Sequence, residues 1–338
     1  MTHIHFKLLI KYNSIALLLL LSACKEKNVA DPNKSNSIDL NSILHLTQLI
    51  DQNPTSDSLY IKRAQLYLES QQIDSAISDA KKSIELNSKN PQYYYFLSDA
   101  YILALDSKNA LTVMDSAILL FPDDLETLLK KTRLQLILKQ YMNGLATLDK
   151  IFLLDPQNAY GYYLAGHIFY ETGDTGRAIN SYQKATDVDP ELREAWIQLG
   201  DVMSIRRNPL SIRYYDNAIR LDSNDVETLH NKAFALQSLG RRKEAIQQYL
   251  SNVKSFPEYE LSYYNLGLYY QSLDSMDQAI TYLTHSIQLN PNEPTTFYQR
   301  GKCYLTLKNK IKAKIDFEEA LRINPDYAEV KKELAQLK

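Results

Sequence analysis

Residues 159–192 read AYGYYLAGHIFYETGDTGRAINSYQKATDVDPEL, and the same pattern, altered but in register, runs from residue 57 to residue 327. Its centre is the small residue Ala178. Stepping outward from it gives Ala76, Ala110, Gly144, Ala178, Ser211, Ala245, Ala279 and Ala313. The steps are 34, 34, 34, 33, 34, 34 and 34 residues. A period near 34 marks an array of stacked helical hairpins, whatever the local propensities say.

With Ala159 as position 1, position 4 is Tyr60, Tyr94, Leu128, Tyr162, Trp196, Leu229, Tyr263 and Phe297. Position 11 is Tyr67, Tyr101, Gln135, Phe169, Met203, Leu236, Tyr270 and Tyr304. Seven residues make two helical turns, so these mostly bulky groups share one face. Between them, position 8 is small: Ala64, Ser98, Thr132, Gly166, Gly200, Ala233, Gly267 and Gly301. A small residue there admits a second helix, whose own small residue at position 20 completes the close approach. Position 24 returns a large group, as at Tyr182, Tyr215, Tyr249 and Phe317. Pro122, Pro156, Pro190, Pro257, Pro291 and Pro325 then end the second helices, because proline cannot continue a helix and restricts its predecessor.

The pattern resembles the tetratricopeptide repeat, on Trp196, Leu199, Gly200, Ala178, Tyr182, Ala185 and Pro190 and their equivalents. The resemblance implies an all-α, right-handed superhelical solenoid of about eight helix-turn-helix repeats with terminal capping helices. The repeats are 57–90, 91–124, 125–158, 159–192, 193–225, 226–259, 260–293 and 294–327. The fifth is one residue short, near Pro209, and Lys131 and Gln135 make the third the weakest match. Residues 38–56 match only a second helix and are expected to cap the N-terminal side, with Ile43, Leu46, Leu49 and Ile50 at helical spacing. Residues 328–338 place Val330, Leu334 and Leu337 on one stripe, as a C-terminal cap needs.

Residues 1–23 carry Lys7 and Lys11, the apolar run Ile15–Leu21, and small residues after it, which is the layout of a secretory signal. The run is too short to span a bilayer comfortably. Leu21-Ser22-Ala23-Cys24 resembles the bacterial lipobox. The resemblance implies cleavage before Cys24, lipid on its sulfur and palmitate-type acylation of its amine; two or three chains anchor firmly where one does not. Residues 24–37, with the polar stretch KEKNVADPNKSNS, then form a flexible tether. Lys25 is not the aspartate linked to inner-membrane retention in enteric bacteria. The expected place is therefore the bacterial cell envelope, the outer membrane rather than the inner, facing the periplasm or the surface.

The 338 residues hold 38 Lys plus Arg and 40 Asp plus Glu, and the balance beyond residue 23 is about −4, no footprint for nucleic acid. The doublet Arg206-Arg207 and the run Arg241-Arg242-Lys243 fall at hairpin turns and read as solvated helix ends. Asp and Glu are expected mainly at turns and helix ends. No paired-cysteine zinc spacing, HExxH, phosphate-binding glycine loop or GxSxG occurs, so no catalytic residue, metal or cofactor is expected. With Cys24 lipidated, Cys303 is left as a small buried thiol.

In tetratricopeptide arrays the first helices line the concave wall, with positions 2, 5, 9, 12 and 13 pointing into it. Carried onto this sequence, the rule selects Tyr95, Tyr163, His230, Tyr264 and Tyr298 at position 5, and Asp99, Arg133, His167, Asp201, Phe234 and Lys302 at position 9. Tyr160 and Tyr170 add to the middle, and Asn231 and Asn265 flank it from position 6. Rings interleaved with a few charges and amides suit an extended peptide or a partner helix. The carboxylate clamp by which some members hold chaperone tails is not reproduced: His230, Phe234, Asn265, Thr295 and Gln299 lack its cations. The expected function is a membrane-anchored scaffold that binds a protein or peptide partner on this groove. A glycan- or nutrient-binding lipoprotein is the alternative, and a hydrolase a more distant one. Such arrays can pair through terminal helices, which leaves a homodimer open.

Overall fold

A computed structural model describes residues 35–337, and among them lie eighteen helices and no strand. Helix α1 spans Ser35–Gln52. Eight hairpins follow. Their first helices are α2 Asp57–Glu69, α4 Pro91–Leu103, α6 Leu125–Ile137, α8 Ala159–Glu171, α10 Arg193–Ile205, α12 Val226–Ser238, α14 Glu260–Ser272 and α16 Pro294–Thr306. Their second helices are α3 Ile73–Leu86, α5 Ser107–Leu120, α7 Tyr141–Leu154, α9 Thr175–Val188, α11 Leu210–Leu221, α13 Arg242–Ser255, α15 Met276–Leu289 and α17 Lys310–Ile323. Helix α18, Ala328–Gln336, ends the array. The expected signal segment, Cys24 and the tether up to residue 34 lie outside the described residues. Helix α1 reaches back to Ser35, into the stretch expected as tether; Ser35, Asn36 and Ser37 are residue types that start helices well.

Every hairpin turns on the same backbone device. Position 15 has positive φ in all eight copies: Gln71, Leu105, Lys139, Gly173, Arg207, Gly240, Asp274 and Lys308. The next amide donates to the carbonyl of position 11, as in Asp106 N to Tyr101 O at 2.8 Å and Asp174 N to Phe169 O at 2.8 Å. The amide of position 15 donates to position 12, as in Leu105 N to Ile102 O at 3.0 Å. These paired bonds satisfy carbonyls that a helix end leaves without partners. The short fifth repeat keeps this turn at Arg207 and loses its residue just beyond it. There Pro209 is the N-cap, and α11 has 12 residues against 14 in α9.

The large groups at position 4 also tie the repeats together. Tyr60, Tyr162 and Trp196 donate to the carbonyls of Pro54, Pro156 and Pro190 at 3.2, 2.9 and 2.8 Å. The proline that ends one second helix thus receives the polar tip of the next first helix. At position 8 the second helix comes so close that a Cβ on Gly166 or Gly200 would lie 2.5 Å from the ring of Tyr182 or Tyr215. In the divergent third repeat Gln135 is buried, but Thr147 donates to its Oε1 at 2.9 Å. The polar substitution therefore carries its own partner.

The helices form two compact units, one ending at Pro122 and one beginning at Asp123. In the first unit each of α1 to α4 packs on the next. It also holds one acid away from the turns and helix ends. Arg63 of α2 grips both oxygens of Asp79 in α3, at 2.6 and 2.8 Å, and donates to Thr47 of α1 at 3.0 Å. In the second unit each of α6 to α18 packs on the next, and α6 with α8, α10 with α12, and α14 with α16 touch as well. Much of one wall of this unit is therefore built from first helices. The three-residue network recurs here: Arg300 holds Asp316 at 2.9 and 2.7 Å and Thr284 at 3.0 Å. A buried carboxylate persists only with such a bidentate partner. Helix α18 covers the last hairpin with Val330, Leu334 and Leu337 against Phe297 and Phe317. Cys303 is buried, with Gln271 Nε2 3.4 Å from its sulfur.

Candidate functional site

The aromatic at position 24 shapes what stands beside it. Because glycine at position 8 lets the ring lie flat on the first helix, its hydroxyl ends near position 9 of the same hairpin. In the fifth repeat this places Tyr215, whose hydroxyl donates to Asp201 Oδ1 at 2.7 Å. Asn231 of the next first helix donates to the same oxygen at 3.4 Å. In the fourth repeat the matching pair is Tyr182 and His167, ring centres 5.5 Å apart and edge to face. In the sixth, position 8 is Ala233 and position 9 is Phe234, which offers no acceptor. The hydroxyls of Tyr182 and Tyr249 are accordingly buried without hydrogen-bond partners among the described residues.

Helix α8 carries the densest part of the wall. Tyr160 and Tyr163 lie 5.4 Å apart, and Tyr163 meets His167 edge-on at 4.6 Å. Burial pushes the Tyr163 phenol well above its ordinary range and pulls the His167 imidazole down to about 4, so that ring is neutral at neutral pH. Arg133 of α6 is near enough for its charge to act on both tyrosines. Tyr170 is half-buried, its phenol raised by burial and next by the charge of Asp201. Burial pushes the Asp201 carboxyl up to about 7, against the pull of the Tyr215 hydroxyl. Neighbouring Asp225 and Glu227 add to the rise and Asn231 opposes it.

Further along the second unit, Asn265 Nδ2 donates to His230 Nε2 at 3.3 Å, and the His230 ring packs on Tyr249 and Tyr259 at 5.5 and 5.4 Å. Burial lowers this imidazole to about 4 as well. Phe234 is half-buried, and so is Tyr264, whose phenol burial lifts to about 12. Tyr298 packs between Phe317 and Tyr327, with the exposed Lys302 ammonium 5.5 Å over its ring.

Thus Arg133, Tyr160, Tyr163, His167, Tyr170, Asp201 and Asn231 form one neighbourhood, His230 with Asn265 a second, and Tyr298 with Lys302 a third. Tyr95 and the half-buried Asp99 belong to the first unit. Two expectations need correcting. Tyr95 and His230 are only 3% and 5% exposed, so neither presents a face to a partner. The Tyr95 side chain is buried, and His230 is enclosed by Asn265 and two tyrosines. The sequence shows Tyr182, Tyr215 and Tyr249 only as the large groups of position 24, and not that the Tyr215 hydroxyl reaches Asp201 on the wall. The available signal was the pairing of a position-24 tyrosine with a polar residue at position 9.

A cleft of about 340 Å³ opens elsewhere, beside α11, α12 and α13. Its Lys232 already pairs with Asp216 at 2.6 Å and its Arg241 with Glu244 at 2.6 Å. Among the described residues no group of His, Cys, Asp and Glu could hold a metal ion, and no helix is long and apolar enough to cross a membrane.

Family models described as "Tetratricopeptide repeat" match residues 57–90, 261–293 and 294–327, and one described as "TPR repeat" matches 166–204. The DnaJ homolog subfamily C member 7 homolog of Schizosaccharomyces pombe is 25% identical over 243 residues, 69% of this chain and 46% of that protein. TPR repeat-containing protein MJ1428 of Methanocaldococcus jannaschii is 22% identical over 205 residues, 58% of this chain and 30% of its own length. The chain thus spans less than half of either relative. The crystal structure of the APC/C hetero-tetramer Cut9-Hcn1 is similar with a TM-score of 0.51 at 19% identity, over 88% of this chain and 59% of that one. At that identity the likeness concerns the fold alone.

Proposed function

This chain is a tetratricopeptide-repeat protein, and from that premise we propose that it is a scaffold that holds a protein or peptide partner on the first-helix wall of its second unit. The observation that carries the proposal is the half-buried aromatic and polar surface from Tyr160 through Asp201 to Tyr264. Rings supply contact area at small entropic cost, and the fixed amide and carboxylate set register. Lipid on Cys24 completes the reading: it tethers the scaffold in the bacterial envelope, where it raises the local concentration of its partner. On this reading the chain makes and breaks no bonds.

The test is affinity purification of the tagged full chain from detergent-solubilised membranes. A stoichiometric partner is expected, and joint Tyr163→Ala and Tyr264→Ala substitution is expected to lose it while circular dichroism stays unchanged. Recovery of nothing above background, with and without crosslinker, would contradict the proposal.

A further inference from the structure

Resting on the reading of that wall as a partner-binding surface, we infer that its part around Asp201 receives a cationic side chain, a lysine or arginine presented by the partner.

Asp201 presents an acceptor that lacks a donor. Both hydrogen bonds to Asp201 fall on Oδ1, from Tyr215 and Asn231. Among the described residues Oδ2 has none, and Asp201 itself is half-buried and so not sealed from the wall. The carboxylate is therefore fixed in direction by one oxygen and open at the other. Tyr182 is 0% exposed, and its hydroxyl has no partner although the charge of Asp201 acts on it. That hydroxyl is sealed, so the acceptor left for an occupant is the Asp201 carboxylate.

The surroundings select the class of occupant. Asp201 also acts on the phenols of Tyr163 and Tyr170, so ring and carboxylate share one neighbourhood. An ammonium or guanidinium is all donor, carries the complementary charge, and is attracted to ring faces. A carboxylate or phosphate would instead meet Asp201 and the nearby Glu194, whose charge reaches Tyr160 and Tyr163. The chain's own cations do not fill the place. Arg193 is committed to Asp225 at 2.5 Å, and no bond to Asp201 comes from Arg133 among the described residues.

The local charge balance adds a readout. Asp225 and Glu227 of α12 and its N-cap, with burial, disfavour the ionised Asp201, while Tyr215 of α11 and Asn231 of α12 favour it. A bound cation favours it further, so binding releases a proton near neutrality and tightens as pH rises from 6 to 8.

Ligand-observed fluorine NMR tests this on the full chain in detergent, with three fluorinated pentapeptides that differ only at the centre. One carries arginine, one its uncharged isostere citrulline, one glutamate. The expected result is saturable broadening with the arginine peptide at a concentration about tenfold lower than with citrulline, a preference that shrinks at pH 6. Asp201→Asn should abolish the preference, and Asp326→Asn, the same charge change at an exposed turn, should leave it. Circular dichroism must stay unchanged in both variants. Equal binding of the arginine and citrulline peptides overturns the inference and leaves the scaffold reading standing. So does a preference that survives Asp201→Asn. Absence of binding by every peptide overturns it too, and the scaffold reading then rests on the purification experiment.

Discussion

Asp201 is a carboxylate held where burial works against its charge. Its folded pKa of about 7 lies above the ordinary 3.8. Between those two values the folded chain keeps a proton that the unfolded chain has released, so stability falls as pH rises through the window and the whole penalty is present above pH 7. Asp201→Asn removes the penalty while keeping an oxygen for the Tyr215 hydroxyl. The variant is expected to be more stable than the parent by roughly 2–4 kcal/mol at pH 8, with the gap closing toward pH 4. Thermal denaturation across that range measures it. A variant less stable at pH 8 would mean that the carboxylate serves packing. His167 and His230 act in the opposite sense, because their folded pKa values near 4 lie below 6.5. Their stabilising share is complete above pH 6.5 and is lost as pH falls toward 4. The position-9 residues were legible in the sequence as wall candidates. The bond from Tyr215 to Asp201 was not, because it joins different helices and depends on the ring lying over Gly200.

At the scale of the hairpin, two features recur in nearly every copy and each is open to a single substitution. The first is the close contact at position 8. A Cβ on Gly200 would stand 2.5 Å from Cε1 of Tyr215. Gly200→Ala is therefore expected to destabilise the chain by about 1–3 kcal/mol and to disturb the Tyr215–Asp201 bond, read by urea denaturation. Wild-type stability would show that α11 can move away freely. The second is the positive φ at position 15, which six of the eight copies reach without glycine. Leu105 has φ of 58° and is 88% exposed, so its side chain gains nothing from packing. Leu105→Gly is expected to stabilise by about 0.5–1 kcal/mol in the same measurement; destabilisation would contradict a backbone origin. The small residues at positions 8 and 20 and the closing prolines made the hairpins readable. The turn geometry was not readable, because Gln71, Leu105, Lys139 and Lys308 carry no sequence mark of a left-handed backbone. Nor were the Arg63–Asp79 and Arg300–Asp316 pairs, whose members are 16 residues apart on different helices.

At the scale of the molecule, the period of 34 was enough to give the architecture, since each hairpin buries its apolar face only against its neighbours. What the period does not carry is the identity of the wall, because positions 5 and 9 vary freely while the packing positions stay fixed. Tyr95 and His230 show the consequence: a groove position can be filled by a ring that folds inward. The other molecular claim concerns Cys24. Mass spectrometry of the chain isolated from membranes is expected to find residues 1–23 removed and acyl groups on Cys24, and Cys24→Ser is expected to release the protein into the soluble fraction. An unmodified cysteine would remove the tether from the account.

The central claim is that the first-helix wall of the second unit, and not the outer face of its second helices, meets a partner. Photocrosslinking in cells addresses it directly, with the same photoreactive residue placed at Tyr170 on the wall or at Ile311, 77% exposed on α17. The account predicts a discrete crosslinked protein from position 170 that is absent from position 311. No crosslink from position 170, or the same products from both positions, would contradict it.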